Sequence, residues 1–151
     1  MGLIYNYMTD EMDYKLIEHQ IIESKPCKIE MTKPLNALIM TDRLFGGAFG
    51  LYRFFTNCTD IEAKIVCDSD NVKELMKYIK FDIVIFVGYL KNKKNYDVIN
   101  LINKASSDSK IIMFANIDDV ITAECKKYEI EYMFNRYNKM TDFLKFINEI
   151  F

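Results

Sequence analysis

The chain has 151 residues, half of them apolar and 28% charged, with a formal charge of -2 at neutral pH. That length and balance suit one globular domain with a single core, and they exclude disordered and membrane-embedded classes. The small negative charge supplies no basic field to condense on nucleic-acid phosphates, so direct nucleic-acid binding is not expected.

Residues 1–33 stand apart from the rest of the chain. Asp10, Glu11 and Asp13 occupy the stretch where a signal peptide would be apolar. No apolar run approaches the roughly 20 residues that cross a bilayer, so the cytoplasm is the expected location, with no membrane partner. Leu16, Ile17, Ile21 and Ile22 fit one face of a helix or two short strands. We read the stretch as an accessory segment, helical, that could serve self-association.

From Pro34 onward the chain alternates. Leu35-Asn36-Ala37-Leu38-Ile39-Met40 is a short continuous apolar run, the pattern of a strand covered on both faces. Leu44, Ala48, Leu51 and Phe55 then recur every three or four residues, which predicts a helix to about Asn57. Ala63-Lys64-Ile65-Val66-Cys67 reads as the second strand, with Cys67 a buried thiol. Asn71 and Glu74 have capping-box spacing before a helical stripe of Val72, Leu75, Met76 and Ile79.

Asp82-Ile83-Val84-Ile85-Phe86-Val87 is the clearest strand, β-branched and aromatic and too apolar to have a wet face, so it should be central. The Lys91, Lys93 and Lys94 run after it reads as solvated loop surface and is assigned no role. Val98, Leu101, Ile102 and Ala105 predict a third helix, closed by a Ser106-Ser107-Asp108-Ser109 turn. Ile111-Ile112-Met113-Phe114-Ala115 is the fourth strand. A helix from Asp119 to Tyr128, a strand from Glu131 to Asn135, and a last helix capped by Thr141 with Phe143, Leu144, Ile147 and Phe151 inward complete the series.

Such alternation predicts an α/β fold, three layers with a five-stranded parallel sheet and right-handed crossovers, in the flavodoxin-like order 2-1-3-4-5. Ligands in these folds gather at the carboxyl ends of the strands. Thr41-Asp42, Val87-Gly88 and Ala115-Asn116 therefore decide the function.

The inventory for metal and nucleophilic chemistry is thin. Cys27, Cys58, Cys67 and Cys125 include no C-x-x-C pair, and His19 is the single histidine, so no metal, cofactor or Ser-His-Asp chemistry is expected.

Residues 34–151 resemble the receiver domain of bacterial response regulators. The resemblance rests on the five β-α units, on Phe81-Asp82-Ile83-Val84-Ile85-Phe86 entering the third strand, and on Glu131-Tyr132-Met133-Phe134-Asn135 near the end. It implies an acidic pair after strand one for Mg²⁺, a phosphoacceptor aspartate ending strand three, a hydroxyl after strand four and a lysine after strand five. The aligned residues here are Thr41 and Asp42, Val87 (or Gly88), Ala115 and Asn135, with Arg136 where a proline usually follows the lysine. Only Asp42 is retained, and a helix cap is the expected role for it. Phosphoryl transfer to a carboxylate needs that carboxylate and a cation to neutralise the moving oxygens.

The expectation is a degenerate receiver, or pseudo-receiver: not an enzyme, independent of phosphorylation, and acting in signalling or transcriptional regulation through protein contact or as a homodimer. Tyr132 aligns with the receiver's switch aromatic, and the resemblance implies an interaction face at Lys126, Tyr132, Tyr137 and Lys145.

Gly46, Gly47 and Gly50 carry a second reading, because G-G-x-x-G after a strand approximates a dinucleotide-binding loop and Asp68 lies where a ribose-binding acid would stand. On that reading the chain is a nucleotide- or small-molecule-binding Rossmann-like domain, similar to short-chain reductases. Phe45 occupies the first glycine position, however, and Tyr132 stands four residues after Tyr128 where those reductases have lysine. Close packing of the helix is the simpler account of the glycines.

Overall fold

The structure is a computed structural model that describes residues 35–42 and 46–151. The accessory segment, His19 and Cys27 lie outside the described residues. Five strands alternate with five helices: β1 (Asn36–Met40), α1 (Gly46–Cys58), β2 (Glu62–Val66), α2 (Ser69–Leu75), β3 (Ile83–Val87), α3 (Val98–Ala105), β4 (Lys110–Ala115), α4 (Asp119–Lys127), β5 (Tyr132–Asn135) and α5 (Met140–Ile150). The sheet is wholly parallel in the order β2-β1-β3-β4-β5, as the alternation predicts.

Period-two alternation sends neighbouring residues of each central strand to opposite faces. Ala37, Ile39, Ile83, Ile85, Ile112 and Phe114 join Leu51, Phe55, Phe143, Leu144 and Ile147 in the core under α1 and α5. Leu38, Met40, Val84, Phe86 and Met113 join Val72, Val98, Ile102, Ile121 and Cys125 under α2, α3 and α4. Both faces of β3 are covered, which is why its run carries no polar residue. Ile83, Val84, Ile85 and Phe86 have no exposed surface.

Several local expectations change. The cap of α2 is Asp68, whose carboxylate accepts from the Asp70 amide, so the Asn71 and Glu74 pair lies inside the helix. Helix α5 starts at Met140, after Lys139, and no side chain caps it; Thr141 is within the first turn. Phe151 is 36% exposed rather than inward. The buried stripe of α3 is Val98, Ile99 and Ile102, while Leu101 is half-buried and Ala105 exposed. Cys67 lies one residue beyond β2 and is half-buried.

A 3-10 helix, Lys93–Asp97, precedes α3 and has no apolar period to announce it. Among the described residues no helix is long and apolar enough to cross a membrane.

Candidate functional site

The parallel register fixes which residues share the carboxyl edge. Met40 pairs with Phe86, Val87 with Phe114, and Ala115 with Asn135. Thr41, Asp42, Val87, Gly88, Ala115 and Asn135 therefore follow one another along the end of the sheet. The backbone continues the ladder there: Thr41 N–H donates to the Val66 carbonyl, Gly88 N–H to Phe114 and Arg136 N–H to Ala115.

Strand β3 ends in Val87, and Gly88 turns the chain with φ of +78°. Neither side chain can attack phosphorus or accept a phosphoryl group. Ala115 is buried and has no hydroxyl. Asn135 holds the next turn, accepting from the Tyr137 amide through its side chain at 3.0 Å and from the Asn138 amide through its carbonyl at 3.1 Å. Among the described residues no group of three or more His, Cys, Asp or Glu side chains could hold a metal ion.

Asp42 would cap through residues 43–45, which lie outside the described residues. Its Oδ2 accepts from the Lys91 backbone amide at 2.5 Å, across 49 residues of sequence, and its Oδ1 is buried with no hydrogen-bond partner. This contact spans the ends of β1 and β3, where the strand order reverses and a doubly wound sheet would open its ligand crevice. Nearby, burial and then the Asp42 charge push the Cys67 thiol above its ordinary pKa, which keeps it protonated and poorly nucleophilic.

The lysine run has a structural role that its composition hid. Lys93 Nζ meets Glu124 of α4 at 2.8 Å and stands 3.7 Å from the Tyr89 ring centroid. Partial burial works against its charge, but Glu124 and Tyr89 outweigh that and hold its pKa above the usual lysine range. Lys94 reaches Asp70 at 3.3 Å with both side chains mostly exposed, a contact worth well under about 1 kcal/mol.

Asn95, buried to 1% exposure, accepts from the Ser69 amide and donates to the Cys67 carbonyl, both at 3.0 Å. Tyr96 packs on Tyr128 at 4.1 Å between ring centroids and on Phe86 at 5.2 Å. These roles are set by tertiary contacts, and no motif signals them.

The glycines of the second reading lie within α1, because the helix starts at Gly46, so they form no loop preceding a helix. A methyl group at Gly47 would stand 3.8 Å from both Arg136 Nη2 and Val87 Cγ1. That is ordinary contact, so close packing does not require glycine there. It also places the Arg136 guanidinium beside the end of β3. Asp68 is exposed and occupied by its capping bond.

Tyr132 is half-buried and meets Phe146 edge-on at 6.0 Å. Lys126 and Lys145 are exposed on α4 and α5, and Tyr137 is 69% exposed just past β5. Two surface clefts of about 410 and 590 Å³ lie away from the carboxyl edge, one around Tyr78, Phe81 and Ile102 and the other around Tyr52, Asp60 and Glu62.

No protein-family model and no curated protein sequence matches this chain. Solved structures do match. The chemotaxis protein CheY4 of Vibrio cholerae, crystallised at low pH, superposes with a TM-score of 0.63 at 11% identity, over 79% of this chain and 100% of that one. A LuxR-family two-component response regulator from Aurantimonas sp. SI85-9A1 gives 0.61 at 12% identity, over 78% and 85%. A two-component response regulator from Clostridium difficile gives 0.61 at 11% identity, over 77% and 94%. The chain thus has the receiver-domain fold, the CheY-like form of the flavodoxin-like sheet. At these identities the likeness is one of fold.

Proposed function

We propose that this chain is a phosphorylation-independent receiver-like module that serves signalling or transcriptional regulation by binding protein, without catalysis of its own. What supports this reading most is the end of β3, which closes on Val87 and Gly88, two residues without a carboxylate. Three further absences support it: Ala115 offers no hydroxyl, Asn135 offers no ammonium group, and Asp42 is the one carboxylate among the six aligned residues. A single carboxylate, already bonded to the Lys91 amide, is a poor start for Mg²⁺, which takes one or two carboxylates together with waters and substrate oxygens.

The face around β5 supports the binding half of the proposal. Tyr137, Met133 and Val120 expose 69%, 39% and 57% of their surfaces on β5, its following turn and α4, with Lys126 and Lys145 on the flanking helices. Exposed apolar groups accompanied by charged side chains are the composition of protein contact surfaces. The chemistry suits a second copy of the chain or a protein partner, and the net charge of -2 argues against nucleic acid.

Two measurements test the proposal. Beryllofluoride with Mg²⁺ should leave the melting temperature unchanged, and a saturable stabilisation would count against phosphorylation independence. A photo-crosslinking residue at Tyr137 should give one defined protein adduct in cells, whereas one at Tyr78, 84% exposed near the opposite edge, should not. Equal labelling at both positions would remove the β5 face from the account.

A further inference from the structure

Between β3 and α3 the chain runs along the carboxyl edge, fixed at both of its ends. On one side the Lys91 amide is held by Asp42, which follows β1. On the other, Lys93 Nζ is held by Glu124 at 2.8 Å, and Tyr96 stacks on Tyr128, directly after α4, at 4.1 Å and 14°. The Lys93 ammonium lies over the Tyr89 ring at 3.7 Å and 5.8 Å from the Tyr96 ring, so one cation joins a carboxylate on α4 to two rings of the connecting segment. Leu90 is fully buried between these points. Gly88, with φ of +78°, has the left-handed backbone that lets the segment turn out of β3.

From this geometry we propose that residues 88–96 form a clasp that couples α4 to the Asp42 corner of the sheet, so that a shift of α4 changes how firmly the segment closes the β1–β3 crevice. The route from α4 to the sheet edge runs through Glu124, Lys93 and the Lys91 amide. It bypasses Ala115, which has no hydroxyl to take part, and Tyr132, which rests against Phe146 on the other face of the sheet. The proposal goes beyond the reading of the β5 face and stands without a partner, because the coupling is internal to the chain. Coupling between two sites is reciprocal, so loosening Asp42 must also loosen the Glu124 contact.

Hydrogen exchange on the full chain, read peptide by peptide, tests this. Glu124→Gln removes the ion pair and should speed exchange of residues 89–94 by about threefold to tenfold, the loss expected for one partly buried ion pair. Exchange in β3 and β4 should stay unchanged. Asp42→Asn should speed exchange across 119–128, and the two changes together should be less than additive. Lys94→Gln, which breaks only the exposed pair to Asp70, should leave 89–94 protected.

Acceleration confined to α4 in Glu124→Gln, or full additivity of the two variants, overturns the proposal. Lys93→Met gives the same reading from the other partner. General loss of core protection in both Glu124→Gln and Lys93→Met also overturns it, because a clasp confined to this segment leaves the core closed.

Discussion

Asp42 Oδ2 and the Lys91 backbone amide meet at 2.5 Å across the ends of β1 and β3, so the crevice in which a doubly wound sheet would bind its ligand is bridged by the chain itself. A hydrogen bond to a charged acceptor contributes about 1.5–3 kcal/mol, and a buried unsatisfied oxygen such as Asp42 Oδ1 costs a similar amount. The two largely offset.

Asp42→Ala should therefore change stability by less than about 1 kcal/mol, measured by urea unfolding. The same variant removes the charge that helps hold the Cys67 thiol protonated. Alkylation of Cys67 near neutral pH, followed by peptide mass spectrometry, should become faster; an unchanged rate would separate Asp42 from Cys67.

Asn95 is a costly polar side chain to remove. Asn95→Ala leaves the Ser69 amide and the Cys67 carbonyl without the partner each now has at 3.0 Å. One buried and one part-buried backbone group left without a partner predict a loss of about 2–4 kcal/mol, visible as a lower urea midpoint. Asn95→Asp should not rescue it, because a carboxylate cannot donate to the Cys67 carbonyl.

The Tyr96 ring is 2% exposed and its hydroxyl is buried. Burial, tempered by the nearby Leu90 backbone and reinforced by the Glu124 charge, pushes its pKa up to about 12 from an ordinary 10. The folded state thus holds this proton more tightly than the unfolded chain. Its contribution to stability is complete below about pH 10 and is lost as pH rises towards 12. Tyr96→Phe should change stability at neutral pH by less than about 1 kcal/mol and flatten the decline between pH 10 and 12 in unfolding experiments.

Gly47 offers the opposite sign. The 3.8 Å clearances around a methyl group at this position leave room for Gly47→Ala, and the helix gains alanine's propensity. An increase of about 0.5–1 kcal/mol in unfolding free energy is expected, and a clear loss would show that α1 needs glycine at this point.

The sheet was legible in the sequence because each central strand is buried on both faces and must be a continuous apolar run; Ile83 to Val87 is one, and the structure gives it the central place. Parallel pairing followed from strict alternation, and the strand order from the flavodoxin-like arrangement. The helix caps were less legible, since Asp68, Asn71 and Thr141 are all competent residues within a turn or so of a helix start, and only the backbone selects Asp68. The clasp was not legible. Asp42 and Lys91 are 49 residues apart, Asn95 and Ser69 are 26 apart, and the 3-10 helix carrying Lys93 has no apolar period to betray its anchoring. Glycines after β1 suggested a phosphate loop, but helix α1 already starts at Gly46.

The most direct test of the central claim is the intact mass of the full chain after incubation with acetyl phosphate and Mg²⁺. A carboxyl edge ending in Val87, Gly88 and Ala115 predicts a single unmodified species at all incubation times. A stoichiometric phosphoryl adduct, mapped to any residue along that edge, would contradict it.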